Sequence, residues 1–420
     1  MRGDRPRLAF VSPIFLFPLD AGGKIRTTNI LRGLRGGRFD ITLFSPASGD
    51  QPTRFAEQIA QVCDRFEPWQ AAPKPRWLRA FDLIGDLPVN VAADRTPGAL
   101  HAVERAAASG GFDVMVFDFV HSAVLLPASL RCPSICFTHN VEAEIFARHA
   151  DHAANGLMRR VWAAQYRKML AFEARALGRF TSVIAVSERD AKQFRSGYGL
   201  PRVEPIPTGV DLDYFSWQSP PALDDAGAGT VVFTGSMDSA ANIGGVRFFI
   251  ESVWPAIRAR RPQARFIVVG RNPPSQLVAL SRSFEGVEFT GSVEDVRPYM
   301  RDAHAFVIPL LVGGGTRIKA FEAMATGCPV VSTTIGIEGL DVEPDTHYLR
   351  ADAPAELAAA VIRLLDEPRL RQELSTRARD KVEGEYGHAA VAAVFERICT
   401  DALRTGPAAT PGKASALPGR

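Results

Sequence analysis

Residues 303–334 read AHAFVIPLLVGGGTRIKAFEAMATGCPVVSTT, and their order decides the fold. The stretch opens on an apolar run, AHAFVIPL (303–310), and turns at three glycines. It continues with a helical period and ends on a second apolar run, PVVSTT (329–334). Apolar runs without polar alternation suit parallel strands buried on both faces. Strand, helix, strand is then a βα unit of a parallel, helix-covered sheet. Ile318, Phe321 and Ala325 fall at i, i+3 and i+7 and predict the buried stripe of the helix. Lys319, Glu322 and Thr326 share a neighbouring, more polar face.

The same alternation recurs along the chain. RLAFVSP (7–13), FDITLFSP (39–46), FDVMVFDF (112–119), PSICFTHN (133–140) and FTSVIAVS (180–187) read as strands of a first half. TVVFTGS (230–236), ARFIVVGR (264–271), VEFTGS (287–292) and the two runs quoted above read as strands of a second. Between residues 201 and 229 the chain is rich in Pro, Gly and Asp, loses helical period and reads as a hinge. The expected class is α/β, with two tandem Rossmann-like domains over 1–205 and 206–385. A helix over 386–403 is expected to pack back toward the first domain. The small, polar, Pro-rich stretch 404–420 is expected to be a disordered tail.

Bulk properties agree with this division. A chain of 420 residues exceeds what one hydrophobic core serves, and 46% hydrophobic with 23% charged residues is globular composition. A net charge of +3 makes no case for nucleic acid as a partner. In the first forty residues Arg2, Arg5, Arg7, Lys24, Arg26, Arg32, Arg35 and Arg38 face only Asp4, Asp20 and Asp40. That excess suits a surface meeting phosphates or an anionic membrane, and equally a solvated face. Five scattered cysteines (Cys63, Cys132, Cys136, Cys328 and Cys399) read as buried thiols in a reducing compartment. The spacing of Cys132 and Cys136 misses that of zinc or redox pairs. No run approaches the roughly 18–20 apolar residues of a membrane span, and the N-terminus lacks a signal-peptide core. The expected location is cytoplasmic, with peripheral attachment at the inner face of the membrane. FEPWQAAPKPRWLRAFDLIGDLPVNV (66–91) interleaves Trp69, Trp77 and Phe81 with Lys74, Arg76 and Arg79. It reads as an interfacial membrane contact, a lipid-linked acceptor site, or an excursion packed on its own domain.

Arg317 and Lys319 pose a chemical question. They stand at a helix start, where the backbone dipole already carries positive charge. An anion above that start explains them, and the glycines before it let backbone N–H groups approach a ligand closely. The alternative is a Lys319–Glu322 salt bridge, disfavoured because base precedes acid along the helix. Glu322, one turn in, is placed to accept hydrogen bonds from sugar hydroxyls such as a ribose diol. The first half repeats the device: Gly22 and Gly23 open a helix with Lys24 and Arg26 in its first turn, and Ile25, Ile30 and Leu34 pack it. Together they suggest a polyanion, most simply a diphosphate, held between two domains. Neither stretch forms G-x-G-x-x-G, so no nicotinamide or flavin cofactor is expected. DLD (211–213) reads as turn chemistry, and no metal is expected. His139 reads as a ligand contact or a satisfied strand-end histidine. Asn140 and Glu142 read as caps of the next helix or as substrate contacts.

On these residues the chain resembles the glycosyltransferases of group 1, also called family 4, from about residue 7 to residue 385. The strongest part is GGGTRIKAFEAMATGCPVVST, which is similar to the family's E-A-M-A-x-G-x-P-V-V site. DAGGKIRTTNIL, FTHNVEAE, VIAVSERD and IPTGVDLDYF add to it. The resemblance implies a GT-B-type arrangement, with two parallel sheets facing across a cleft. It implies transfer of a sugar from a nucleotide-diphosphate-sugar donor to a glycan or lipid-linked acceptor, in polysaccharide or glycolipid biosynthesis. Retained anomeric configuration and no bound metal are implied as well. Glu322 would bind the ribose, while Arg317 and Lys319, with the N–H groups of Gly314, Gly315 and Thr316, would stabilise the diphosphate. Gly291 and Val293 would lie against the base. Gly22, Gly23 and Gly235 would admit the phosphates, and His139 would contact the donor sugar. Two departures stand out. Gly314 occupies a position where the family commonly has glutamate, which leaves the donor's identity open. The stretch TGSMDSAANIGG (234–245) lacks the family's G-R and K-G cations, because Ser236 and Asn242 are uncharged; Arg317 and Lys319 are expected to take over. The rival readings are a non-catalytic partner on this fold, or another GT-B enzyme such as a phosphorylase, epimerase or sugar-phosphate synthase.

Overall fold

The computed structural model describes residues 5–19, 21–71, 82–83, 85–151, 155–207, 209–223, 229–312 and 317–407. The chain divides into two units, Met1–Pro207 with Val391–Arg420, and Thr208–Ala390.

The first unit holds β1 (Arg7–Val11), β2 (Asp40–Ala47), β3 (Arg65–Gln70), β4 (Val114–Asp118), β5 (Ser134–Phe137), β6 (Ser182–Ala185) and β7 (Val203–Pro205). They pair in parallel in the order β3-β2-β1-β4-β5-β6-β7. Successive residues of β1 serve opposite layers. Leu8 and Phe10 pack with Ile30, Leu31 and Leu34, whereas Ala9 and Val11 pack with Met115, Val103 and Phe172. This is why the run is apolar throughout: neither face sees water. β3 and β7 were not visible as apolar runs. β3 is an edge strand with one buried residue, Trp69, and carries Pro68, a residue that sheets tolerate at edges. β7 is three residues long and lies inside the stretch that reads as a hinge.

The second unit holds β8 (Thr230–Thr234), β9 (Arg265–Val269), β10 (Val287–Gly291), β11 (Ala305–Ile308), β12 (Val330–Ser332) and β13 (Leu349–Arg350). They are parallel in the order β10-β9-β8-β11-β12-β13. In both sheets the strand order reverses beside the first strand, between β1 and β4 and between β8 and β11. Ligands of open α/β sheets bind at the carboxyl ends of such a pair. The Gly22–Leu34 helix follows β1, and the Ile318–Thr326 helix follows β11.

The His388–Thr405 helix returns to the first unit. Its Phe395 ring lies 6.4 Å from Phe10 and 5.4 Å from Phe137, edge-on to the latter. Arg397 bonds Glu204 at 3.0 Å. The N-terminal cations do not act as one patch: Arg5 and Arg35 share Asp64, Arg7 meets Asp113 and Arg32 bonds Gln61. Trp69 is buried against the Pro97–Ala108 helix, which removes it from any membrane-facing role. Lys74, Arg76, Trp77, Arg79 and Phe81 lie outside the described residues, as does the tail from 408. Asp211 of the DLD stretch accepts the N–H groups of Asp213 and Tyr214 and forms a turn. Among the described residues no helix is long and apolar enough to cross a membrane.

Removing a buried ring that joins the last helix to two strands leaves a cavity. Phe395→Ala is expected to lower unfolding stability by about 3–5 kcal/mol, measured by urea denaturation of the full chain.

Candidate functional site

In the first unit, β4 ends on Asp118, which is fully buried. A buried carboxylate needs hydrogen-bond donors, and two neighbouring strand ends and the Gly22–Leu34 helix supply them. Ser12 Oγ donates to Oδ2 at 3.1 Å, Thr27 Oγ1 donates at 2.9 Å, and His139 Nε2 lies 2.7 Å from Oδ1. The carboxylate therefore holds the Nε2–H tautomer, and Nδ1 carries the lone pair. Burial pushes the His139 pKa below its ordinary value, outweighing the opposite pull of Asp118. The ring is neutral, and Nδ1 has no hydrogen-bond partner among the described residues.

Phe119 stacks on that ring at 4.0 Å and adopts a left-handed backbone (φ 64°), an uncommon conformation for a non-glycine residue. Gly23 is required by this packing. A Cβ there would lie 2.6 Å from the Phe119 ring and 3.7 Å from His139 Nδ1. The Gly22–Leu34 helix starts beside the histidine with no side-chain cap and no acid in its first turn. Its Arg26 is pushed down to about 10 by burial, against the pull of Asp118. Ile25 is exposed, so of the three apolar positions in that helix Ile30 and Leu34 do the packing. Asn140 and Glu142 do not cap the next helix. Glu173 accepts the backbone N–H groups of Glu142 and Ala143 at 2.8 and 3.0 Å, and also the Tyr198 hydroxyl. Asn140 instead reaches Glu142 at 3.5 Å.

In the second unit the helix runs Ile318–Thr326, with Arg317 as its N-cap in a left-handed conformation (φ 49°). Arg317 thus precedes the first turn. Its side chain is buried, 3.9 Å from Glu338, and burial lowers its pKa. Gly314, Gly315 and Thr316 lie outside the described residues. The helix is buried beyond a single stripe, since Ala320, Ala323 and Met324 are inside along with Phe321 and Ala325.

Lys319 does not pair with Glu322. Its ammonium crosses to the end of β8, where it donates to Asn242 Oδ1 at 3.0 Å and sits 4.1 Å over the Phe233 ring. Asn242 in turn donates to the Ser236 carbonyl. A Cβ at Gly235 would come within 2.7 Å of that ammonium. Burial pushes Lys319 down to about 7 and Glu322 up to about 7, each opposed by the charge of the other. The Glu322 carboxylate has no hydrogen bond to a described residue. Gly291 ends β10 with φ 71°, after a register shift on β9, and Val293 packs against the core that holds Met300 and Phe321.

The structure therefore brings together Gly23 and His139 in the first unit, with Gly22 opening the same helix, and Gly235, Lys319 and Glu322 in the second. Asp118, Ser12 and Thr27 escaped the sequence reading. An aspartate ending an apolar strand carries no spacing signal, and its role shows only when three strand ends converge.

Comparison with known proteins follows the same division. Residues 21–214 match Glycosyltransferase Family 4, and residues 228–367 match Glycosyl transferases group 1. The chain belongs to the glycosyltransferases of group 1 and family 4. The phosphatidyl-myo-inositol mannosyltransferase of Mycolicibacterium smegmatis is 30% identical over 222 residues, covering 51% of this chain and 56% of that protein. The MMP alpha-(1->4)-mannosyltransferase of Mycolicibacterium hassiacum is 23% identical over 293 residues, 66% of this chain and 69% of that protein. The match thus spans little more than half the length of the first relative. Among solved structures, sucrose-phosphate synthase from Thermosynechococcus elongatus has a TM-score of 0.65 at 19% identity, covering 96% of this chain and all of that one. Anabaena HepE, solved in complex with UDP, also has a TM-score of 0.65, at 16% identity, covering 94% of this chain and all of that one. At these identities the likeness shows the fold, two parallel-sheet domains of the GT-B type.

Asp118→Ala would leave the Ser12 and Thr27 hydroxyls and the His139 N–H without their buried acceptor. The expected loss is about 3 kcal/mol of unfolding stability, with a smaller loss for Asp118→Asn, both measured by urea denaturation.

Proposed function

We propose that this protein is a glycosyltransferase that takes a nucleotide-diphosphate sugar as donor and a glycan or lipid-linked molecule as acceptor, in polysaccharide or glycolipid biosynthesis. The observation that carries the proposal is in the second unit. A half-buried ammonium is delivered to the glycine turn after β8, and an unbonded carboxylate follows it on the same helix. Breaking a sugar–phosphate bond develops positive charge at the anomeric carbon and negative charge on the departing diphosphate. Lys319 and Arg317 answer the negative charge, and Gly235 lets the phosphates approach the ammonium. Glu322 accepts from the ribose diol, with Gly291 and Val293 against the base. In the first unit the helix start at Gly22 and Gly23 offers N–H groups to an anion, and His139 Nδ1 accepts from a sugar hydroxyl.

The relatives support the acceptor side of this reading. The M. smegmatis protein is named for mannosyl transfer to phosphatidyl-myo-inositol, and HepE was solved with UDP. Retained configuration, metal-independent turnover and a cytoplasmic enzyme attached at the membrane's inner face belong to the same proposal. Release of free nucleoside diphosphate that rises with added acceptor separates a transferase from a non-catalytic partner or a phosphorylase.

A thermal-shift panel of UDP, GDP, ADP and dTDP with their sugars tests the donor site. A nucleotide at 100 times its Kd adds about 2.7 kcal/mol of stability. Glu322→Ala and Lys319→Ala are expected to abolish the shift while leaving the free protein folded. A panel without any shift overturns the donor assignment.

Proton linkage gives a sharper test. In the free protein Lys319 and Glu322 both titrate at about 7. A phosphate beside Lys319 favours its charged form, so binding takes up a proton there. Ribose hydroxyls donating to Glu322 favour the carboxylate, so binding releases a proton there. The two nearly cancel in the native protein at neutral pH. Nucleotide binding to the native protein is expected to show net proton uptake above about pH 7, where Lys319 is mostly neutral, and net release below it, where Glu322 is mostly protonated, read by calorimetry in buffers of different ionisation enthalpy.

A further inference from the structure

The Gly156–Leu177 helix of the first unit has an outer face unlike that of an ordinary surface helix. Gln165, Met169, Phe172, Glu173 and Ala176 point inward. Opposite them, at helical spacing, lie Arg160, Arg167, Leu170 and Ala171, flanked by Arg159 and Arg175, all exposed. The helix contains a single acid, Glu173, which is buried and committed to the Glu142 and Ala143 N–H groups. Its outer face is therefore cationic and apolar without a compensating charge.

Several surface arginines on other elements are neutralised. Arg65, Arg189, Arg195, Arg261, Arg265 and Arg297 each lie against a carboxylate. None of the described carboxylates pairs with Arg159, Arg160, Arg167 or Arg175. The helix also exposes large apolar groups at its start. Leu157 is 72% exposed and Met158 38%. At its middle, Lys168 donates to the carbonyl of Leu83, itself an exposed apolar residue, and Leu170 is exposed beside it. Cations interleaved with exposed leucine on one helical face are the composition of a helix that lies in a membrane interface.

We propose that this face docks on an anionic membrane surface, with the arginines on lipid phosphates and Leu157 and Leu170 inserted between headgroups. Charge complementarity selects the occupant, since four unpaired guanidinium groups need a dense field of anions and a bilayer supplies one. Position makes the contact useful. The Glu142–Asp151 helix begins next to His139, packs on the long helix through Phe146 and His149 against Trp162, and is about 15 Å long. The short helix lies along the long one, with Glu173 at its Glu142 end and Trp162 toward its other end, so the helix that follows His139 packs directly on the helix that carries the cationic face. This deepens the lipid-linked-acceptor reading and rests on it for its purpose, but docking itself requires neither donor nor acceptor.

The test is sedimentation of the full chain, without nucleotide, with vesicles of phosphatidylcholine alone or containing about a third phosphatidylglycerol. Binding is expected with the anionic vesicles and not the neutral ones, and it should fall steeply as salt is raised from about 0.1 M. Arg160→Glu with Arg167→Glu is expected to weaken partition at least tenfold at unchanged thermal stability. Leu157→Gln should weaken it less while keeping the salt dependence. Equal binding to both vesicle types, binding to neither, or a double variant that sediments like the native chain overturns the proposal. Binding to single-stranded DNA as tight as to anionic vesicles overturns it too, and marks the face as a general polyanion surface. Nucleotide shift and vesicle binding are separate measurements, so the donor site and the membrane face can each fail alone.

Discussion

A parallel sheet covered by helices on both faces leaves no room for polar side chains along its strands. In β1, β4, β8 and β11 the backbone hydrogen bonds are satisfied by neighbouring strands, and the side chains go into two apolar layers. Polar chemistry is therefore confined to the strand ends, and the reversal of strand order opens space at one pair of them. Asp118, His139, Gly235 and the helix starts at Gly22 and Ile318 all lie at such ends. The candidate site is a consequence of where this fold permits charge.

The two units use that permission differently. In the first, the buried carboxylate of Asp118 is saturated by Ser12, Thr27 and His139, and the network ends in one unused nitrogen. Its charge serves orientation: it fixes a tautomer and presents a neutral acceptor. In the second, Lys319 and Glu322 are both nearly buried and each is shifted toward its neutral form by desolvation. Such a pair is costly to keep apart from a partner, and a diphosphate and a ribose diol are the partners whose charges and donors match it. The cluster of the first unit is built to hold a group still, that of the second to receive charge.

Sequence patterning was legible where one cause dominated. The ten runs became strands, buried on both faces except at the half-exposed edge strand β10, and the Gly22–Leu34 and Ile318–Thr326 helices follow β1 and β11. β3 was illegible because an edge strand with exposed alternating positions and a proline resembles a loop, and β7 because three residues carry no period. Within the site, Glu322 and Lys319 were legible from helical spacing. The left-handed backbone at Arg317 was not, so a residue placed by pattern in a first turn is instead its cap. Asp118 and Glu173 were invisible for a common reason. Each acts on backbone or side chains 21 to 106 residues away, and no local pattern encodes such a contact.

The uncharged residues at Ser236 and Asn242 show how charge can reach a turn from another element. The turn after β8 carries no cation of its own in this chain, yet a cation is present there, because Lys319 crosses from another helix and is held by Asn242. An amide at 242 cannot stabilise an anion by charge, but it holds the Lys319 ammonium to which the proposed function gives that role. Electrostatic stabilisation depends on where charge sits relative to the leaving group, and the element that supplies it is immaterial. Delivery from the Ile318–Thr326 helix has a cost that a surface lysine would avoid, since the side chain is desolvated along its length and loses much of its basicity. That loss couples the ammonium to its surroundings. It is charged most fully when an anion is next to it, so the site is most positive when it is occupied.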